Sequence, residues 1–259
     1  MSIINILCVG DVVGENGGEF VKNNLWKIRS GCRADMCVVN GENCGRFNSI
    51  EPEWAKMLLS CGADVVTGGN HTFKRNEMYS YLDGTSDVLR PANYPDSCPG
   101  QGYVIKNIDG YRILVMSVIG QVFMEPLACP FDTAQKILDR EKGGYDFAVC
   151  DIHAEATSEK LAFAHCFDGR INVIFGTHTH VQTADLKILP GGTGYITDVG
   201  MTGPHDSVLG IKKEIIVDKF LTKLPRRFEV AHTPCELNAV LFKLDTDKKR
   251  VVDTIRVES

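Results

Sequence analysis

The sequence lacks any C-x-x-C pair, although ten of its 259 residues are cysteines. Several cysteines lie inside apolar runs, such as Cys8 in INILCVG and Cys150 in FAVCD, where a reduced thiol packs as a small hydrophobic side chain. This usage favours a reducing compartment and argues against a framework of disulfides.

The chain also lacks a positive net charge. Its 28 Lys and Arg residues are outnumbered by 33 Asp and Glu residues, which gives a net charge of -5. Such a balance provides no electrostatic surface for duplex nucleic acid. The basic stretches KLPRRF and DKKR are therefore interpreted as solvated surface, and duplex nucleic acid is not an expected partner.

The apolar run near the start is too short for a signal peptide or a membrane span. The segment MSIINILCVGD has no basic residue ahead of its apolar run and soon reaches Asp11. Internal repeats, low-complexity tracts and linkers are missing as well. We expect a soluble cytoplasmic protein in which residues 1–259 form a single domain.

Short apolar runs bounded by glycine or polar turns recur along the chain. Their length and composition suit strands buried on both faces. Helical patterns, PEWAKMLLSCG and DTAQKILDREKGG, lie between some of them, and this alternation predicts a layered α/β fold. The predicted strands are INILCVG, MCVVNG, DVVTGG, YRILVMSVIG, FAVCDIH and INVIFGTH.

The residue composition changes after Gly191. The stretch PGGTGYITDVGMTGPHDSVLG predicts a long glycine-rich loop, and long irregular loops in compact domains are often functional. A strand is predicted at FEVA. The end of the chain predicts a hairpin that turns at residues 245–249 and completes a sheet.

Polar side chains follow most of the predicted strands. In an open α/β sheet, ligands bind beyond the carboxyl ends of the strands, so these side chains are expected to meet at one edge. In GTHTHVQT, residues i and i+2 of an extended segment face the same side, which directs both histidines to one point. The residues concerned are Asp11, Glu42, Asn43, Asn70, His71, His153, His178 and His180.

Each of these residues also has a structural interpretation. Asp11 could cap a helix, and either asparagine could serve a turn. His153 could be a hydrogen-bonded core histidine. The coincidence of carboxylates, carboxamides and imidazoles at successive strand ends favours a site over these separate interpretations.

The ligand types indicate which metal ions would bind. Three imidazoles, two carboxylates and two amide oxygens are too many for one tetrahedral zinc, and no thiolate accompanies them. A pair of iron, manganese or zinc ions is therefore favoured. Two ions about 4 Å apart can hold a hydroxide and bind a phosphoryl group, with Glu42 as the bridging carboxylate.

These motifs resemble the calcineurin-like metallophosphoesterases, in particular their bacterial YmdB-like branch. The resemblance is carried by GD at 10–11, NGEN at 40–43, GGNH at 68–71, DIHAEATSEK at 151–160 and GTHTHVQTAD at 176–185. Two positions depart from the wider superfamily. Val13 stands where D-x-H has a histidine ligand, and the glutamate of NGEN replaces the usual bridging aspartate.

The resemblance implies a four-layer αββα sandwich with two metal ions at one edge. It implies a first ion held by Asp11, Glu42, Asn43 and His180, and a second held by Glu42, Asn70, His153 and His178. The implied activity is a phosphodiesterase acting on cyclic nucleotides, with 2′,3′-cyclic AMP the favoured substrate. A metal-bridging hydroxide would attack phosphorus, and His71 would be the general acid.

Several alternatives remain open at this point. The chain could be a metal-dependent phosphomonoesterase or protein phosphatase, or a weakly active metal-binding regulatory protein. Asp151 and Glu155 could orient imidazoles or be a turn residue and a surface carboxylate. Asp198 could brace the site, and His205 could touch substrate or be an exposed loop residue. The oligomeric state, including a homo-oligomer, is also open.

Overall fold

The computed structural model describes residues 2–46 and 48–258. The helices of this part of the chain are α1 (Gly14–Gly31), α2 (Pro52–Ser60), α3 (Glu77–Asp83), α4 (Pro130–Arg140), α5 (Thr157–Cys166) and α6 (Lys213–Thr222). The strands are β1 (Ile3–Val9), β2 (Asp11–Val12), β3 (Met36–Asn40), β4 (Val65–Thr67), β5 (Val88–Leu89), β6 (Tyr103–Ile108), β7 (Tyr111–Ile119), β8 (Phe147–His153), β9 (Val173–Thr177), β10 (Lys187–Ile188), β11 (Gly194–Ile196), β12 (Met201–Pro204), β13 (Cys235–Glu236), β14 (Asn238–Asp245) and β15 (Arg250–Glu258).

The strands form two large sheets and a small one. The first large sheet has the order β15-β14-β1-β3-β4-β5, and the second has the order β10-β11-β9-β8-β7-β6. Within each sheet, four consecutive strands run parallel: β1, β3, β4 and β5 in the first, and β7, β8, β9 and β11 in the second. The small sheet, β13-β12-β2, links residues near both ends of the chain.

Side-chain alternation along the strands builds the layers. In β1, Ile6 and Cys8 belong to a core between the two large sheets, whereas Leu7 and Val9 pack with Val21 and other apolar residues of the helices α1, α2 and α3. The outer face of the second sheet packs in the same way against α4 and α5. Strands covered on both faces read as continuous apolar runs. The result is the predicted four-layer αββα sandwich.

The predicted helices follow the expected local rules. Helix α2 begins at Pro52, where the fixed φ of proline suits the first turn, and Gly62 follows its end with a φ of 122°.

The closing hairpin is formed by β14 and β15, with Lys249 in the left-handed region at its turn. No helix in the described residues is long and apolar enough to cross a bilayer.

Two sequence predictions in the last quarter of the chain are wrong. The segment FEVA forms no strand, and Val230 makes only an isolated bridge with Ile211. The glycine-rich stretch is not entirely loop, because β11 pairs with β9 and β12 pairs with β2. These short strands depend on partners distant in sequence, so local composition does not predict them.

Candidate active site

The strand ends bring all the predicted site residues to one edge of the sandwich. Asp11 begins β2 just beyond β1, and it does not cap α1, whose N-cap position is Val13. The loops after β3 and β4 carry Glu42 with Asn43 and Asn70 with His71, His153 ends β8, and the histidines of GTHTH follow β9. Asp11, Glu42, Asn43 and His153 are all buried.

One group of side chains, here called the His153 cluster, consists of Glu42, Asn70, His153 and His178. Its polar atoms converge on Nε2 of His153, which lies 2.9 Å from Asn70 Oδ1, 3.1 Å from His178 Nδ1 and 3.3 Å from Glu42 Oε1. Ligand atoms of Glu42, His153 and His178 lie within 4.8 Å of one another. Carboxylate, amide and imidazole atoms packed this closely form a coordination set suited to a borderline metal ion.

Gly69 permits this close approach. A Cβ atom at this position would lie 2.1 Å from Glu42 Oε2 and 2.5 Å from His153 Nε2. Any larger residue would therefore push the carboxylate or the imidazole out of place. The second glycine of GGNH is therefore required by the packing of the site itself.

The imidazole of His153 is oriented from behind by Thr177 and Asp151. Thr177 Oγ1 donates to Asp151 Oδ1 at 2.7 Å and lies 2.9 Å from His153 Nδ1. Because the single hydroxyl proton is donated to the carboxylate, Thr177 Oγ1 accepts a hydrogen bond from the Nδ1–H of His153. This arrangement directs Nε2 toward the cluster and supports the interpretation of Asp151 as an orienting group.

His178 is held on both sides of its ring. Its Nδ1 faces His153, its Nε2 lies 3.2 Å from Glu155 Oε2, and its backbone N–H donates to Asp11 Oδ2 at 3.0 Å. Glu155 is half exposed, so it is both a surface carboxylate and a partner of His178.

The second group, here called the His180 cluster, consists of Asp11, Asn43 and His180. Its contacts are longer: His180 Nε2 lies 3.7 Å from Asp11 Oδ1 and 3.3 Å from Asn43 Nδ2. Within the described residues, Asp11 Oδ1 and His180 Nδ1 are buried without a hydrogen-bond partner. Buried polar atoms without protein partners are rare, and here they identify atoms that could bind a metal ion.

Asn43 connects the two clusters and His71. Its Nδ2 donates to Glu42 Oε1 at 3.0 Å, and its Oδ1 lies 2.8 Å from His71 Nδ1. The orientation of a carboxamide is an assignment that depends on its partners. Binding an ion through Oδ1 at the His180 cluster requires rotation of this carboxamide about its last bond.

The geometry of GTHTH differs from the extended segment predicted from the sequence. Strand β9 ends at Thr177, and φ is 97° at His178 and 65° at His180. Both histidines still point into the site, but through a bent backbone. Asp198 holds this bend, because its Oδ2 accepts hydrogen bonds from the N–H and the hydroxyl of Thr179.

Lys160 completes this support. Its fully buried Nζ donates to Asp198 Oδ2 at 2.8 Å and to the carbonyl of Thr177 at 2.7 Å. Asp198 therefore braces the site through backbone and lysine, as one of its sequence interpretations suggested. Lys160 and Thr177 were not predicted, although both lie inside the motifs DIHAEATSEK and GTHTHVQTAD.

The buried charges act on one another strongly. Burial disfavours the charge on Glu42, but His153 and His71 hold its pKa well below the usual range. Burial also opposes the charge on His153, yet Glu42 and Asp11 raise its pKa to about 9. Burial and the neighbouring His153 lower the pKa of His178 to about 3. The facing nitrogens of the two rings, 3.1 Å apart, thus pair one protonated ring with one neutral ring.

Other predicted features lie outside this site. His205 is an exposed loop residue whose Nδ1 lies 2.9 Å from the carbonyl oxygen of Pro234. The KLPRRF segment is largely exposed, as its interpretation as solvated surface requires.

The αββα sandwich and the polar cluster at its strand ends define a metallophosphoesterase. The comparisons with known proteins agree. The chain belongs to the YmdB-like protein family, whose model matches residues 7–257.

Three similar proteins extend this assignment. A Bacillus subtilis (strain 168) protein named 2′,3′-cyclic-nucleotide 2′-phosphodiesterase is 40% identical over 98% of this chain and 96% of its own. A solved Mycoplasma pneumoniae structure, described as a novel phosphatase, is 34% identical with a TM-score of 0.93, covering 100% of this chain and 94% of that one. A solved structure from Thermus thermophilus, described as a hypothetical protein, is 38% identical with a TM-score of 0.91, and 99% of each chain is covered. The chain is accordingly a metal-dependent phosphoesterase.

Proposed function

We propose that this chain is a dinuclear phosphodiesterase that hydrolyses 2′,3′-cyclic nucleotides, with 2′,3′-cyclic AMP the favoured substrate. The observation that carries the proposal is the convergence of Asn70, His178 and Glu42 on Nε2 of His153, beside a second cluster around His180. The name of the 40% identical relative supports the substrate class.

The donor atoms suit two ions that share Glu42. Its Oε1 lies 3.3 Å from His153 and 3.0 Å from Asn43, so this carboxylate borders both clusters. One ion would be held by Asp11, Glu42, Asn43 and His180, and the other by Glu42, Asn70, His153 and His178. Iron is our first choice, with manganese or zinc as alternatives. When bound, such ions neutralise phosphate charge and lower the pKa of water to about 7.

His71 is placed to act as the general acid. Its backbone N–H donates to Glu42 Oε2 at 3.0 Å, and its Nδ1 lies 2.8 Å from Asn43 Oδ1 and 3.2 Å from Glu42 Oε1. These contacts fix the ring and leave Nε2 for the substrate. Its side chain is 22% exposed, so a ribose oxygen can reach it. Protonation of that oxygen completes hydrolysis, because water supplies hydroxide to phosphorus and a proton to the leaving group.

The test is a hydrolysis panel with metal-replete protein. We expect turnover of 2′,3′-cyclic nucleotides to exceed that of 3′,5′-cyclic nucleotides, phosphomonoesters and short RNA. Asp11→Asn is the matched control because it preserves shape while removing a buried carboxylate beside His180. Equal rates for wild type and Asp11→Asn on bis-p-nitrophenyl phosphate would contradict the enzyme proposal and favour a binding or regulatory role.

A second variant tests the assignment of the acid. We expect His71→Ala to keep its metal content while turnover falls by about 10²- to 10⁴-fold, the usual contribution of a general acid. The control is His205→Ala, since that exposed histidine contacts Pro234 away from the cluster. Elemental analysis measures the metal. Its loss from His71→Ala would make His71 a ligand.

The phosphomonoesterase alternative remains a second candidate because the similar Mycoplasma pneumoniae structure is described as a phosphatase. The monoester arm of the panel decides between the two. We also propose a cytoplasmic location, in line with the ten free cysteines.

A further inference from the structure

A second cleft, of about 640 Å³, lies between the connection from β5 to β6 and helix α4. It includes none of the residues of the His153 and His180 clusters. One contact connects it to the loop after β4: Tyr94 lines the cleft and packs edge-on against Phe73, two residues after His71, with ring centroids 5.1 Å apart. Clefts of this volume commonly bind small molecules.

Arg90 places a buried positive charge in the wall of this cleft. Its side chain lines the cleft, and the residue is only 5% exposed. Within the described residues, its Nη1 donates to the carbonyls of Pro91 at 2.9 Å and Ala92 at 3.4 Å, and its Nε has no partner. Burial lowers the pKa of Arg90, and the carboxylate of Asp96 opposes this effect only in part, so the buried charge remains costly. An anion bound in the cleft would offset part of this cost through its charge.

The surrounding residues reinforce the positive charge. Lys136 and Arg140 occupy one face of α4, four residues apart, and both line the cleft. Asp96 is the acidic residue of the lining, which therefore has three basic side chains and one carboxylate. Tyr103 lies on the same wall and supplies an aromatic ring.

We propose that this cleft is a second ligand site, separate from the metal centre, that takes a nucleoside monophosphate. The guanidinium of Arg90 matches the oxygens of a phosphate group, and Lys136 and Arg140 add charge at the mouth. The volume exceeds what a phosphate ion fills and accommodates a nucleoside beside the tyrosine rings. This site is independent of the reaction proposed above.

Calorimetric titration of the metal-loaded full chain with AMP tests the proposal. We expect one binding event at the metal centre and another at the cleft. The double variant Lys136→Gln/Arg140→Gln changes exposed side chains and should weaken the cleft event by about tenfold or more, the loss expected for a charge-assisted hydrogen bond. Lys142→Gln, on the turn after α4 and outside the lining, is the matched control and should keep both events.

Two further arms separate this site from the metal centre. His153→Gln disrupts the His153 cluster and should retain the cleft event, so loss of all AMP binding in that variant would overturn the second site. Unchanged affinity in the double variant would overturn it as well. Inorganic phosphate should compete with AMP at the cleft, whereas adenosine should not. Equal competition by adenosine would show that the phosphate is not what is recognised.

Arg90→Gln removes the buried charge itself, and its melting temperature is measured with and without AMP. We expect AMP to raise the Tm of His153→Gln through the cleft but not that of His153→Gln/Arg90→Gln, since only a bound ligand stabilises the fold. An equal rise in both would contradict a role for Arg90. If the Arg90 variant fails to fold, the exposed pair on α4 decides the question alone.

Discussion

The His153 and His180 clusters share one edge of the sandwich but differ in how closely their atoms are arranged. Around His153 Nε2, three partner atoms lie within 3.3 Å, and Thr177 with Asp151 fixes the ring from behind. Around His180, the contact to Asp11 is 3.7 Å, and a nitrogen of its ring and an oxygen of Asp11 are buried without partners in the described chain.

This difference has an energetic meaning. A ligand set that is already ordered loses little conformational freedom when an ion binds, whereas a looser set must still be ordered. The carboxamide of Asn43 must also rotate before its oxygen can face the His180 cluster. We therefore expect the His153 cluster to bind its ion more tightly, so that the two ions are lost in sequence rather than together.

The largest expected effect separates the two clusters directly. His153→Gln should weaken binding of one ion by more than about 100-fold, beyond the usual effect of an outer partner, and reduce turnover to background. His180→Gln should weaken binding less, because its cluster begins from looser contacts. Metal content after dialysis against a graded chelator measures both. An equal loss of metal from the two variants, or a larger loss from His180→Gln, would contradict the predicted difference between the clusters.

The support behind His153 predicts the next effect. Thr177→Val removes the hydroxyl between His153 Nδ1 and Asp151 Oδ1 at nearly constant volume, and metal affinity should fall by about 10- to 100-fold. Thr193→Val is the matched control, since this buried threonine donates its hydroxyl to the carbonyl of Ile171 and contacts no imidazole. Thr177→Ser should retain wild-type affinity. If both valine variants behave alike, Thr177 acts through folding and not through His153.

The sequence predicts which side chains meet at this edge, but not how closely they approach one another. The central strands were predictable because strands covered on both faces must be apolar, and parallel strands place their carboxyl ends at one edge. The second of these rules predicts that Glu42, Asn70 and His153 lie together. The alternation rule failed at His178 and His180, where φ is positive. The bend there is set by buried contacts between distant residues, which have no local signal.

The looseness of the His180 cluster could not be predicted for the same reason. Asp11 is positioned by the pairing of β2 with β12, in which Asp11 is opposite Met201. Neither strand has a recognisable apolar run, and the sequence predicted loop at β12. Residue types therefore predict which side chains gather at the site, and long-range pairing determines how closely they approach.

The two imidazoles of the His153 cluster differ in their pKa values. Glu42 raises the pKa of His153 to about 9 against the effect of burial, whereas burial and His153 lower the pKa of His178 to about 3. Without an ion, His153 is thus protonated at pH 7 and His178 is neutral. An ion must displace that proton, so affinity should rise about tenfold per pH unit up to about pH 9.

Calorimetry in buffers of different ionisation enthalpy measures this proton. We expect about one proton released per chain at pH 7 for the tighter ion, and none in His153→Gln. The raised pKa of His153 also stabilises the folded metal-free chain, because the folded state binds this proton more tightly than the unfolded state does. This stabilisation is present below about pH 6.5 and is lost as the pH rises through 9, so the Tm of the metal-free chain should fall over that range. A flat affinity profile from pH 6 to 9 would show that His153 carries no proton.

The smallest expected effect concerns the solvent-facing side of the His153 cluster. Glu155 Oε2 lies 3.2 Å from the Nε2 of the neutral His178, but the carboxylate side chain is 50% exposed, so water competes for this contact. Glu155→Gln should therefore weaken metal binding by at most about fivefold, with a smaller difference at high salt. The other carboxylate of DIHAE, Asp151, acts on His153 from a fully buried position through Thr177. A loss as large as that of Thr177→Val would show that His178 depends on its outer partner as strongly as His153 does, and that the order within the cluster does not come from its buried side.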